Sequence, residues 1–301
     1  MISVLMACYR EKEVWLCEAI DSIRSQTEQD WELIIIQDDP DNKEHAKILN
    51  AYVKKDSRIK WFPNSENQGL TASLNRALKL AKGEYIARMD ADDVSLPHRF
   101  KRQIQYLEEK EYDLIGGYTQ FIDENGTRGF LVTSIPKEHW QIEKRVRYNN
   151  CIPHPAWFGR RTLFEQLNGY REIPHCEDYD FTLRALKAGA KLGNIPELIL
   201  YYRNTKGSIS RSNLLPQFLY GKADYKAVMK GKPLVEAIRE ADHRCTPNAC
   251  RHYNQSNAYM TQALEDLEKK HYLYACKSLL KAFFGSKYFA KKMIGLFAAG
   301  L

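Results

Sequence analysis

No apolar run in this chain of 301 residues approaches the roughly 20 residues needed to cross a bilayer, so no spanning helix is expected. No CxxC pair occurs among its seven cysteines; an odd count without that spacing excludes a disulfide framework and suits reduced, structural thiols. Residues 1–8 have neither a basic leader nor a small-residue cleavage site, so they read as a buried strand and the protein is expected to be cytoplasmic. A Gly-rich, basic phosphate loop is also missing, since Cys8-Tyr9-Arg10-Glu11 stands where one would follow that strand. Over residues 1–212 there is no charge excess, with 31 Lys+Arg against 31 Asp+Glu. The whole net charge of +7 comes from residues 213–301, with 14 against 7, and after Glu268 there are seven lysines and no acid. A uniformly basic surface is thereby excluded, and nucleic acid is not expected as a partner.

What the sequence does contain is an alternation of short apolar runs and helical periodicities. Residues 2–7 and 33–36 are nearly continuous apolar runs rich in β-branched residues, as for strands buried on both faces, and 59–62 and 85–89 read as a third and a fourth strand. Between the first two, Trp15, Leu16, Ala19, Ile20 and Ile23 recur at helical spacing; residues 70–80 repeat the pattern, and Pro97 opens a helix to Lys110. Such alternation predicts an α/β fold with a mainly parallel, Rossmann-like sheet and helices on both faces. A polar segment at 204–212 sets a boundary near residue 212, giving a catalytic domain over 1–212 and a helical appendage over 213–301.

Ligands of such sheets bind beyond the carboxyl ends of the strands. Those ends carry Tyr9 and Arg10, then Asp38 and Asp39, then residues 64–69, then Asp90, Asp92 and Asp93. Three carboxylates within four residues can hold a hard divalent cation, although Asp also suits turns for its own sake. The Asp38-Asp39 pair has two readings, an Asx turn or a carboxylate that accepts from a base N–H while Tyr9 stacks on the ring. Glu177, Asp178 and Asp180 open a helix, where they cap the dipole or supply a general base. His154, between Pro153 and Pro155, is either structural or presented to a substrate. The cluster His243, Cys245, Cys250 and His252 matches no common zinc spacing and reads as a polar loop with incidental thiols.

Nine segments in register, at residues 4–9, 18–27, 31–39, 67–75, 81–93, 96–99, 169–170, 177–180 and 200–203, together resemble the inverting glycosyltransferases of family 2, with the GT-A fold. The resemblance covers about two thirds of the chain and is of the kind found in bacterial surface-polysaccharide and O-antigen synthesis. It implies a nucleotide site at Ala7, Tyr9, Asp39, Asn67 and Asp90, with Asp39 reading N3–H of a uracil. It also implies a DxD motif at Asp90-Ala91-Asp92, with Asp92 as ligand to Mn2+ or Mg2+, and a catalytic base at Asp178 beside Glu177. Arg203, Lys206 and Arg211 are expected to close over the donor phosphates, and His154 to meet the acceptor. The implied partners are a UDP-sugar and a saccharide acceptor of the polyprenyl-diphosphate-linked kind. Two departures from the family pattern stand out: Asp38-Asp39-Pro40-Asp41 replaces the usual Asp-Asp-Gly-Ser turn, and Thr205 replaces a His that ligates metal in some relatives.

Two other readings compete. A nucleotidyltransferase would be expected to show the phosphate loop that is missing here, and a catalytically silent glycan-binding protein would have lost the metal or base carboxylates, which are all present. In the appendage, Leu273, Cys276, Leu280, Phe283 and Phe284 form an apolar stripe beside Lys277 and Lys281. That stripe predicts either a helical cap packed on protein or a helix pair resting on anionic lipid at the cytoplasmic face.

Overall fold

In a computed structural model of the chain, which describes residues 1–205 and 213–298, the apolar runs become the parallel half of one sheet. Strands β1 (Ile2–Cys8), β2 (Trp31–Gln37), β3 (Ile59–Pro63) and β4 (Tyr85–Asp90) pair in the order β3-β2-β1-β4, all parallel. All seven β2 residues are buried, Glu32 and Gln37 among them, and the apolar run within the strand is Leu33 to Ile36. Helix α1 (Glu13–Arg24) buries the five apolar residues its spacing predicts. Helices α2 (Lys43–Lys55) and α3 (Leu70–Leu80) complete the alternation, and α4 (Arg99–Glu109) starts two residues later than Pro97. The Pro97 carbonyl instead accepts from Thr27 N, which holds this residue in the preceding loop.

The other half of the sheet is largely antiparallel. Strands β5 (Val94–Ser95), β6 (Leu114–Ile122), β7 (Arg128–Val132), β8 (Phe158–Arg160) and β9 (Leu192–Arg203) extend it as β4-β8-β6-β9-β5, with β7 on β6; only β6 and β9 run parallel. Short helices α5 (His139–Val146) and α6 (Arg161–Gln166) and the longer α7 (Glu177–Lys187) lie between these strands in the chain. The result is an α/β fold with a mixed sheet flanked by helices.

The chain divides into two compact units, one of residues 1–143, 150–172 and 184–205, the other of 144–149, 173–183 and the described residues 213–298. The sheet belongs to the first. The described C-terminal part of the second is helical throughout: α8 (Leu214–Lys230), α9 (Leu234–Arg244), α10 (Pro247–Glu268), α11 (Tyr272–Gly285) and α12 (Lys287–Ala298). Its core gathers Leu215, Phe218, Leu219, Tyr253 and Phe289. The His243 to His252 stretch is helical for most of its length and not a loop: Cys245 caps α9 and Cys250 lies in the first turn of α10. The two thiols sit 3.8 Å apart, but among the described residues the two imidazoles do not join them in a metal-sized cluster.

Candidate active site

Register alone brings the strand ends together. Ala7 of β1 lies opposite both Ile36 of β2 and Asp90 of β4, so Tyr9, the Asp38-Asp39 pair and the acidic turn emerge along one edge. The two adjacent acids then diverge. Asp38 is buried, and its carboxylate accepts from Asn64 Nδ2 (2.6 Å), Gln68 N (2.9 Å) and Gly69 N (2.8 Å). Gly69, at φ 84°, adopts the left-handed backbone conformation that favours glycine. This closes residues 64–69 into a loop whose Asn67 is exposed. Asp39 is half-buried, its side chain 17% exposed and its Oδ2 3.4 Å from Nε of the exposed Arg10. The Arg10 guanidinium lies 4.7 Å over the ring of the exposed Tyr9.

After β4, carboxylate oxygens of Asp90, Asp92 and Asp93 lie within 4.8 Å of one another. Asp90 pairs with the buried guanidinium of Arg88. Asp93 accepts at Oδ1 from Arg203 N (2.8 Å), while its buried Oδ2 has no hydrogen-bond partner among the described residues. Burial, then the Asp90 and Glu11 charges, push the Asp92 carboxyl up to about 7. Burial, then Asp90 and Asp92, hold Asp93 well above the usual carboxylate range. Glu11 is raised too, by burial first and with Asp90 adding to it; its Oε2 accepts from Tyr9 N at 2.7 Å. An all-oxygen donor set, an orphaned carboxylate oxygen and like charges crowded together fit a hard divalent cation, whose charge would relieve the repulsion. Glu11 is the site residue that sequence reasoning missed. It stands three residues beyond β1, and reading the strand-end rule one residue past Arg10 would have included it.

Arg203, expected at the phosphates, has a side chain only 1% exposed. Its Nε donates to the Asp92 carbonyl (2.7 Å), Nη1 to the Asp123 carbonyl (3.1 Å) and Nη2 to Glu18 Oε2 (2.5 Å). The guanidinium thus faces inward and fastens the acidic turn to β9, α1 and the β6–β7 connection. Lys206 and Arg211, expected beside it, lie outside the described residues. His154, expected to meet an acceptor, is buried against Trp157, its Nε2 3.1 Å from the Tyr170 hydroxyl. Burial, then the charge of Arg88, holds its pKa well below the ordinary histidine value, so the ring is neutral and used internally. Glu177 and Asp178 open α7 in the second unit, both half-buried. Asp178 Oδ1 accepts from Tyr179 N (2.7 Å) and its carbonyl from Thr182 Oγ1 (2.9 Å), so the helix start orients this carboxylate.

Residues 3–167 match the family described as Glycosyl transferase family 2. The chain belongs to that family. Among the relatives of this family 2 glycosyltransferase, one from Methanocaldococcus jannaschii is 34% identical over 236 residues, spanning 77% of this chain and 80% of that one. The O-antigen biosynthesis glycosyltransferase WbnJ of Escherichia coli is 36% identical over 216 residues, covering 71% and 84% of the two chains. Among solved structures, S. aureus TarS 1–349 in complex with UDP-GlcNAc superposes with a TM-score of 0.60 at 17% identity, over 95% of this glycosyltransferase and 93% of that chain. At that identity the superposition speaks for the fold, a GT-A arrangement.

Proposed function

We propose that this glycosyltransferase moves a sugar from a UDP-sugar to a saccharide acceptor of a surface polysaccharide, with a divalent cation and with inversion at the anomeric carbon. The observation that carries the reading is the acidic turn: three carboxylates within 4.8 Å of one another at the end of β4, in register with Ala7. The UDP-GlcNAc complex of the TarS structure supports a UDP-sugar, and the O-antigen role in the name of WbnJ supports the acceptor class.

In this reading Tyr9 stacks on the base and Asp39 accepts its N3–H. Asp92 is the direct metal ligand, and Asp90, held by Arg88, faces the nucleotide. Arg203 fixes the turn from behind and so acts as a tether. A bound Mn2+ or Mg2+ supplies neutralisation of the charge that develops on the diphosphate leaving group. Asp178 takes the proton from the acceptor hydroxyl. That oxygen then bonds to the anomeric carbon from the face opposite the diphosphate, and the bond from carbon to phosphate oxygen breaks. A single base suffices because no leaving sugar oxygen has to be protonated.

The test is hydrolysis of UDP-, GDP- and dTDP-sugars with and without Mn2+. Mn2+-stimulated turnover of a UDP-sugar is expected; turnover confined to GDP- or dTDP-sugars, or indifferent to metal, overturns the donor and metal assignments. Asp178→Asn should lower transfer by about 10²- to 10⁴-fold while UDP–Mn affinity, measured by calorimetry, stays unchanged. Unaltered turnover would remove Asp178 from the role of base.

A further inference from the structure

We propose that α11 and α12 form a docking surface for an anionic lipid bilayer. The inference goes beyond the donor and acceptor chemistry and does not depend on it. A helix that caps a protein core turns its large apolar residues inward, and α11 does the reverse. Its buried positions are the small residues Ala275 and Ala282, while Leu273, Leu280 and Phe284 are 87%, 60% and 79% exposed. At about 100° per residue these three fall within an arc of about 40°. In α12, Phe289 anchors the helix in the core, and Ile294 and Phe297 stand 57% and 68% exposed. Apolar side chains set outward on two successive helices mark an interaction face.

Charge selects the occupant. Lys277 and Lys281 on α11 and Lys287 and Lys291 on α12 are all exposed, and no acid occurs after Glu268. Apolar residues with lysines beside them, on two helices that carry no acid of their own, complement headgroups that are negative over acyl chains. A second copy meeting the same face would set these lysines against one another. Among the described residues no helix is long and apolar enough to cross a membrane, so the fitting mode is to lie in the interface.

Flotation of the full chain with vesicles of phosphatidylcholine alone, and of phosphatidylcholine mixed with phosphatidylglycerol, tests the proposal. Wild type should float with the anionic vesicles and dissociate as salt is raised. Replacing Leu273, Leu280 and Phe284 together by Ser should weaken that binding by about tenfold or more. Lys277→Gln with Lys281→Gln should weaken it by about fivefold per lysine, and only on anionic vesicles. Because all five positions are exposed, circular dichroism and UDP binding should match wild type, which separates loss of docking from loss of fold or of donor chemistry. Wild type that floats with neither vesicle, or the triple variant floating like wild type, overturns the proposal. So does a dimer seen by sedimentation in lipid-free buffer that the triple variant converts to monomer without any vesicle binding by wild type; that outcome would assign the face to a second copy.

Discussion

Asp38 and Asp39 are neighbours in sequence with different environments. Asp38 accepts three hydrogen bonds inside the protein, two of them from backbone N–H groups, whereas Asp39 is half-buried beside the exposed Arg10. Asp38→Asn should therefore cost about 2–3 kcal/mol of stability in urea unfolding, because an amide cannot accept all three bonds. Asp39→Asn should leave the urea midpoint unchanged and weaken UDP binding in calorimetry. Nothing in the local sequence separates the two acids, since what distinguishes them is where the backbone of residues 64–69 places its donors. His154 offers a pH test. Its folded pKa is depressed below the ordinary value of 6.5, so the unfolded chain binds the proton first. The stability tied to its neutral form is complete above that value and is lost as pH falls below it, by up to about 1.4 kcal/mol per pH unit. Compared with His154→Gln, wild type should lose stability more steeply between pH 7.5 and 5.5 in paired denaturant titrations, conditions set about one unit either side of the ordinary histidine value.

Among the elements, β1 and β2 were legible because strands buried on both faces leave apolar runs, β3 and β4 because the alternation repeats, and α1 and α3 through helical periodicity; α2, which buries only His45 and Leu49, left no such pattern. The antiparallel half was not. β5 and β8 have two and three residues, too few for any period, and β6 carries adjacent glycines, Gly116 and Gly117, where side chains from β9 approach. Gly83, before β4, is a close-approach position of another kind: a Cβ there would lie 2.6 Å from Ser3 N and 2.8 Å from the Met1 carbonyl oxygen. Those obstacles are backbone and cannot rotate away. Gly83→Ala should therefore destabilise the β1–β4 pairing by about 1–3 kcal/mol, seen as a lower midpoint in thermal or urea unfolding. At the site, the acidic turn was visible as a motif. Glu11 was not, because the residues read at the end of β1 stopped at Arg10, one short of it.

For the whole molecule, the proposed donor site of crowded carboxylates predicts that nucleotide and cation stabilise the fold together. UDP with Mn2+ at 100 times its dissociation constant should add about 2.7 kcal/mol, read as a rise in melting temperature. Asp92→Asn should abolish the Mn2+-dependent part of that rise, and an unchanged rise would argue against ligation. The charge partition belongs to this scale as well: it was legible in composition, but the outward setting of the apolar stripe was not, because periodicity shows that a helix has two faces and leaves open which one meets the core. The inward-facing Arg203 bears on how mutational scans of such enzymes are interpreted. Arg203→Ala would release the Asp92 carbonyl, the Asp123 carbonyl and Glu18 together, so metal affinity and thermal stability would fall in the same experiment. Inactivity of that variant would look like the loss of a phosphate contact while carrying no information about one, and only a paired stability measurement would tell a lost scaffold from a lost ligand.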